Sequence, residues 1–223
     1  MARQARNTQK SSLFSIKQQS DIAIFKDKKD RGVFIEILQQ AKKKFGFDVY
    51  GYCLLDDDAF WIVINTKTRS VASIMQSISI SYSLYRSDVE NLFLRRYKSE
   101  AIYDLETLNN IMQTMMSDPR YETCEYCFYD IDTNQPFEFI APIHQDIEIQ
   151  KKYPKKTDTE TMIRFIEDYV GVHYNTLSVL DDLEIRNDII KHVYACLNIT
   201  QTQLSQYFKI SNSAISKILN HGI

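Results

Sequence analysis

Little in this chain of 223 residues breaks or staples a backbone: 5 Gly, 4 Pro and 4 Cys. So few glycines and prolines exclude collagen-like, solenoid-turn and linker-rich architectures. Cys53, Cys124, Cys127 and Cys196 are too few and too scattered for a disulfide-stapled secreted scaffold, and a reduced, cytoplasmic compartment is the expectation. No apolar run approaches the ~20 residues of a membrane-spanning helix, so no membrane partner is expected. The basic start, MARQARNTQKSS, lacks the apolar stretch of a signal peptide. An excess of one charge is missing too: 27 Lys and Arg stand against 29 Asp and Glu, a formal −2. Any affinity for nucleic acid must therefore rest on local patches. G-x-x-x-x-G-K-S/T, G-x-G-x-x-G and G-x-S-x-G are absent, which removes the common nucleotide-binding and hydrolase readings.

What is present is ordinary globular composition, 44% hydrophobic and 25% charged, enough for one large or two small domains with real cores. Charge is unevenly placed. Residues 1–20 carry Arg3, Arg6, Lys10 and Lys17 without an acid, and 189–223 carry Lys191, Lys209 and Lys217 without one. Acids gather between, as in Asp56-Asp57-Asp58, Asp146 with Glu148, and Asp181-Asp182. Lys151-Lys152 and Lys155-Lys156 flank Pro154 in a polar stretch that reads as a linker. This predicts a larger N-terminal domain over 1–120, an extension and linker over 121–157, and a helical domain over 158–223.

Hydrophobic spacing predicts the elements of the first domain. Leu13 to Ile16 reads as a short strand. In 30–44, Phe34, Ile37, Leu38 and Ala41 fall at helical spacing and Gly46 supplies the stop. Residues 47–55 and 59–65 are β-like runs separated by three aspartates, a hairpin candidate. Residues 70–86 place Val71, Ile74, Met75, Ile78, Tyr82 and Tyr85 on one helical face. A strand over 93–103 and a helix over 105–117, ended by Asp118-Pro119, follow. The order β-α-β-β-α-β predicts an α+β fold, a ferredoxin-like antiparallel sheet with helices on one face.

Five stretches, IFKDKKDRGVFIEIL (24–38), YGYCLLDDDAFWIVINT (50–66), MQSISISYSLY (75–85), LFLRRYKS (92–99) and MQTMMSDP (112–119), together resemble the IS200-like tyrosine transposases. The branch associated with repetitive extragenic palindromes is the more similar one. Arg96-Tyr97-Lys98-Ser99, after a helix with paired tyrosines, is the most specific piece. The resemblance implies a ferredoxin-like palm, usually homodimeric, that binds hairpin DNA and cleaves one strand with a tyrosine and a divalent metal. Two His at i and i+2 on one strand point to the same face and hold that metal, which polarises the scissile phosphate for the attacking phenol. Aligned on Tyr52-Cys53-Leu54 and Ile62-Val63-Ile64, the His positions fall on Asp58 and Phe60. Asp58 is able to ligate a hard metal and Phe60 is not. Thr114 stands where the family's nucleophilic Tyr belongs. Both elements of the chemistry are thus expected to be lost. Tyr97, Tyr103 and Tyr121 are the candidates for a relocated nucleophile.

Weaker sites are read blandly. Cys124-x-x-Cys127 has metal-pair spacing but no second pair, and packing cysteines in a strand fit better. His144, His173, His192 and His221 form no ligand spacing. No cofactor is expected, with Mg²⁺ or Mn²⁺ entering only if strand cleavage survives.

The C-terminal end carries its own signal. Thr200-x-x-Gln203 is a capping box opening a helix to about Phe208, and Ser211 caps a second helix from Asn212 to about Leu219. Leu204, Phe208, Ile210, Ile215 and Ile218 have the spacing of a shared core, Ser205 permits close approach, and Lys209 replaces the usual turn glycine. With a helix over 184–197 this resembles a three-helix domain with a helix-turn-helix at 199–220. Docked as such motifs dock, Asn212, Ser213, Ser216 and Lys217 face the major groove, and Gln201, Thr202 and Lys209 face the backbone. On the palm, Arg95, Arg96 and Lys98 are the expected DNA contacts. The expectation is a sequence- or hairpin-specific DNA-binding regulator, derived from a transposase, homodimeric and catalytically inactive. The alternatives are a working strand transferase using Asp58 with a displaced tyrosine, and an interaction protein that kept only the dimeric palm.

Overall fold

A computed structural model describes residues 11–129 and 156–220. The chain divides into two compact units, one holding the described residues of 11–42 and 47–129, the other those of 43–46 and 156–220.

In the first unit β1 (Leu13–Gln19), β2 (Asp48–Cys53), β3 (Ala59–Asn65), β4 (Lys98–Ile102) and β5 (Cys127–Tyr129) form one sheet of order β4-β1-β3-β2-β5. Every pairing is antiparallel. Helix α1 (Lys28–Phe45) links β1 to β2, and α2 (Val71–Tyr85) links β3 to β4. The first four strands and two helices make the βαββαβ ferredoxin-like arrangement. Gly46, at φ +68°, ends α1 in the left-handed region that a side chain resists. Ser70 caps α2 by accepting from the Ser73 amide.

Strand alternation assigns the faces. Phe60 turns toward α1 and α2, where its ring lies 4.6 Å from Phe34 and 6.3 Å from Phe93. Phe34 in turn meets Tyr82 at 5.3 Å and Phe25 at 5.5 Å, edge to face. The opposite face is not open to solvent as a two-layer expectation has it. Helix α3 (Leu105–Met116) covers it, burying Leu108, Met112 and Met115 against Leu13, Tyr50, Cys53 and Val63. Leu13 to Ile16 are accordingly all buried, because both faces of β1 are covered.

Two further differences have local causes. The strand expected over 93–103 begins only at Lys98, since 86–93 is turn and bend and Asn91 takes φ +58°. The strand expected around the cysteine pair is present as β5, but it joins the sheet of the first unit: Pro119–Thr123 forms a 3-10 turn capped by Asp118, and β5 then pairs with the β2 edge.

The second unit holds α4 (Thr159–Tyr174), α5 (Leu183–Cys196), α6 (Gln201–Phe208) and α7 (Asn212–Asn220). The expected three helices are joined by a fourth, α4, which buries Met162, Ile166 and Val170. Both halves of the Thr200/Gln203 capping box are present, with the Gln203 amide reaching the Thr157 carbonyl at 2.9 Å. Lys209 links α6 to α7 at φ 53°, ψ 38°, its amide donating to the Ser205 carbonyl. The Ser205 hydroxyl donates to the Ile210 carbonyl at 2.7 Å and fixes the turn from the other side.

Candidate functional site

Between α3 and the exposed ends of β1, β3 and β4 lies a cleft of about 500 Å³. Its floor is Lys17 and Gln19 of β1 with Ala59 and Trp61 of β3. Arg95, Arg96 and Lys98 line one side, and Thr114, Met115, Ser117 and Asp118 of α3 the other. Cys53, Leu55 and Asp56, at the end of β2, close it.

Trp61 is held in place from two directions. Its indole N–H donates to Ser15 Oγ at 2.8 Å, and the Lys17 ammonium sits 3.5 Å from the ring centroid. Lys17 and Trp61 are cross-strand partners, so the register of β1 on β3 creates the contact. The sequence marks Lys17 as one cation of a basic N-terminal stretch and Trp61 as an aromatic filling the palm, but not their pairing. The signal for the pairing was alternation alone: Trp61 and Val63 share a face, and the neighbouring strand carries a cation at the matching register.

The charges of the cleft divide into committed and uncommitted groups. Arg95 Nε donates to Asp21 at 3.0 Å. Arg120 bridges Asp118 and Asp56, at 2.6 and 3.0 Å, and its hydrogen bonds hold the Asp118 carboxyl down at about 2. The acids at the cleft are thus already answered by Arg120. Arg96 and Lys98 are exposed, and among the described residues no carboxylate pairs with either.

The expected degenerate positions need one correction. Phe60 borders the cleft, but its ring is 3% exposed and packs away from it, among the aromatics of α1 and α2. Asp58 lies outside the cleft lining, with Gln19 Nε2 at 3.5 Å from its carboxylate. The pair of β3 positions facing α3 is Ala59 and Trp61, one residue out of the aligned register, because neighbouring side chains in a strand take opposite faces. Neither can ligate a metal. Among the described residues no group of three His, Cys, Asp or Glu is placed to hold one. The described residues of the cleft therefore do not fit a divalent cation.

Thr114 lies in the cleft wall. Its hydroxyl donates to the Asn110 carbonyl one turn back, at 2.7 Å. No tyrosine lines the cleft among the described residues. Tyr103 is half exposed on the far end of β4, and Tyr121 packs under α3.

The second unit presents a separate polar surface. Asn212, Ser213 and Lys217 of α7 are exposed and Ser216 half-buried, while Ile215 and Leu219 turn inward. Thr202 and Lys209 are exposed and Gln201 half-buried. No helix among the described residues is long and apolar enough to cross a membrane.

No family model matches the chain, nor does any curated protein. Among solved structures, that of a REP-associated tyrosine transposase bound to a REP hairpin superposes with a TM-score of 0.47 at 11% identity, covering 53% of this chain and 73% of that one. A likeness this weak transfers no residue's role.

Proposed function

We propose that this chain is a DNA-binding protein of transposase descent that has given up strand cleavage and serves as a regulator. The observation that carries the reading is the composition of the cleft. Lys17, Arg95, Arg96 and Lys98 surround a cleft whose sheet floor offers Ala59 and Trp61 and whose α3 wall offers Thr114, a lining without imidazole or phenol. Cations of this kind bind phosphate oxygens without regard to base, and an aromatic floor offers a stacking surface for an unpaired base. Such a cleft suits a hairpin or a distorted duplex end better than a straight duplex.

The C-terminal unit supplies the sequence-reading half of the proposal. Helices α6 and α7 act as a helix-turn-helix, with Asn212 and Lys217 able to reach adenine and guanine edges. Binding as a homodimer belongs to the same reading.

A gel-shift series at fixed salt, against genomic fragments and synthetic hairpins, tests this. Arg96→Ala should weaken binding to all sequences alike and lower the salt slope by about 1. Lys217→Ala should instead reduce discrimination between sites. Unchanged affinity in both variants, or a covalent protein–DNA adduct formed with Mn²⁺, would overturn the proposal.

A further inference from the structure

We infer that Cys53 and Cys127 are a reversible disulfide site, closed by a peroxide and opened by a thiol reductant, that staples the edge strand β5 to the sheet in the wall of the cleft. The inference does not depend on DNA binding.

Register is the first support. Cys53 and Cys127 are direct partners in the β2–β5 ladder, and their sulfurs stand 3.3 Å apart although the residues are 74 apart in sequence. The next pair out, Leu54 and Tyr126, is hydrogen-bonded, the Leu54 amide donating to the Tyr126 carbonyl at 3.1 Å. Bonded and non-bonded pairs alternate in an antiparallel ladder, so Cys53 and Cys127 form a non-bonded pair. At such a pair the Cα atoms stand about 4.5 Å apart, inside the range a disulfide spans. Closing the bond needs the sulfurs to approach and the strands to stay put.

Reactivity is the second. The two thiols share a hydrogen bond in which either sulfur can donate, and that bond holds the Cys53 thiol below its ordinary value. Of the two, Cys53 lines the cleft, through which a molecule as small as hydrogen peroxide can reach it, and this access makes it the nucleophile. The Cys53 thiolate attacks one peroxide oxygen; an S–O bond forms, the O–O bond breaks, and the leaving hydroxide takes the proton Cys53 gave up. The Cys127 sulfur then attacks the sulfenic sulfur. The S–S bond forms, the S–O bond breaks, and hydroxide leaves with the Cys127 proton as a second water. Two thiols are oxidised and one peroxide is reduced to two waters.

Placement gives the bond a consequence. Strand β5 pairs over three residues only, and a strand so short at a sheet edge is held weakly. Cys124, one turn before Cys127, is the competing partner within the same motif.

The test is peroxide titration of the full chain, followed by alkylation and non-reducing peptide mapping, with exposed Cys196 as the internal gauge of oxidant strength. Wild type and Cys124→Ser should yield a Cys53–Cys127 linked peptide about 2 Da lighter than its parts, reversed by dithiothreitol. Their thermal midpoint should rise by roughly 5 °C or more on oxidation. Cys127→Ser should show neither change. Cys53 and Cys127 still alkylatable once Cys196 is oxidised, or a link running chiefly between Cys124 and Cys127, would overturn the inference.

Discussion

Arg86 keeps only 3% of its surface, deep beneath the loop that leads into α1. Its guanidinium lies 3.1 Å from the Asp30 carboxylate and donates to the Ile24 carbonyl, while Tyr85 donates to Asp30 at 2.8 Å. Losing Asp30 leaves the buried guanidinium with only the half-exposed Asp88 carboxylate, at 3.1 Å, and removes the acceptor of the Lys26 amide and the Tyr85 hydroxyl. Asp30→Ala should therefore destabilise the first unit by about 3–5 kcal/mol in urea unfolding. None of this was legible beforehand, because nothing local to Arg86 signals a carboxylate 56 residues earlier. The phenols make a second residue-scale prediction. Burial pushes Tyr52 up to about 12 and raises Tyr50 and Tyr82 as well. A phenol that ionises less readily when folded contributes stability fully present below its unfolded value near 10 and lost as pH rises toward 12. Stability measured across that window should fall, and in Tyr52→Phe the fall should be shallower.

At the scale of elements, punctuation proved more legible than faces. Gly46, Ser70, Asp118 with Pro119, and the Thr200/Gln203 box lie where their helices begin and end, since each acts on its own backbone. Thr200→Ala should cost about 1 kcal/mol of helix stability, read as a lowered unfolding midpoint. Lys209→Gly should do the reverse. A lysine held at φ 53° bears a left-handed penalty that glycine escapes, so the exchange should stabilise by about 0.5–1 kcal/mol in denaturant titration. Facing was harder to read. Alignment on Tyr52-Cys53-Leu54 and Ile62-Val63-Ile64 put Asp58 and Phe60 at the paired-ligand positions, whereas pairing with β1 turns Ala59 and Trp61 to the cleft. A strand written AFWIVIN is apolar on both faces, so its own sequence cannot say which residue looks which way. The strand around Cys127 was legible as a strand, but its place on the β2 edge was not, because so short an edge strand is positioned by its partner and not by its own pattern.

The described residues fall into two compact units, Phe34, Phe60 and Tyr82 buried in one, Ile190, Val193, Leu204 and Ile215 in the other. Calorimetry should resolve two transitions, with Asp30→Ala lowering only the first unit's and Thr200→Ala only the second's. A single transition that both substitutions shift equally would contradict this. The proposed work of recognition is divided along the same lines, a phosphate-reading cleft in one unit and a base-reading helix in the other. Trp61 is the chain's sole tryptophan, and it stands in the floor of the cleft beneath the Lys17 ammonium. The protein consequently carries its own optical probe. Any guest that enters displaces the lysine or lies against the indole, and a label-free shift or quench of the ultraviolet emission would reveal it.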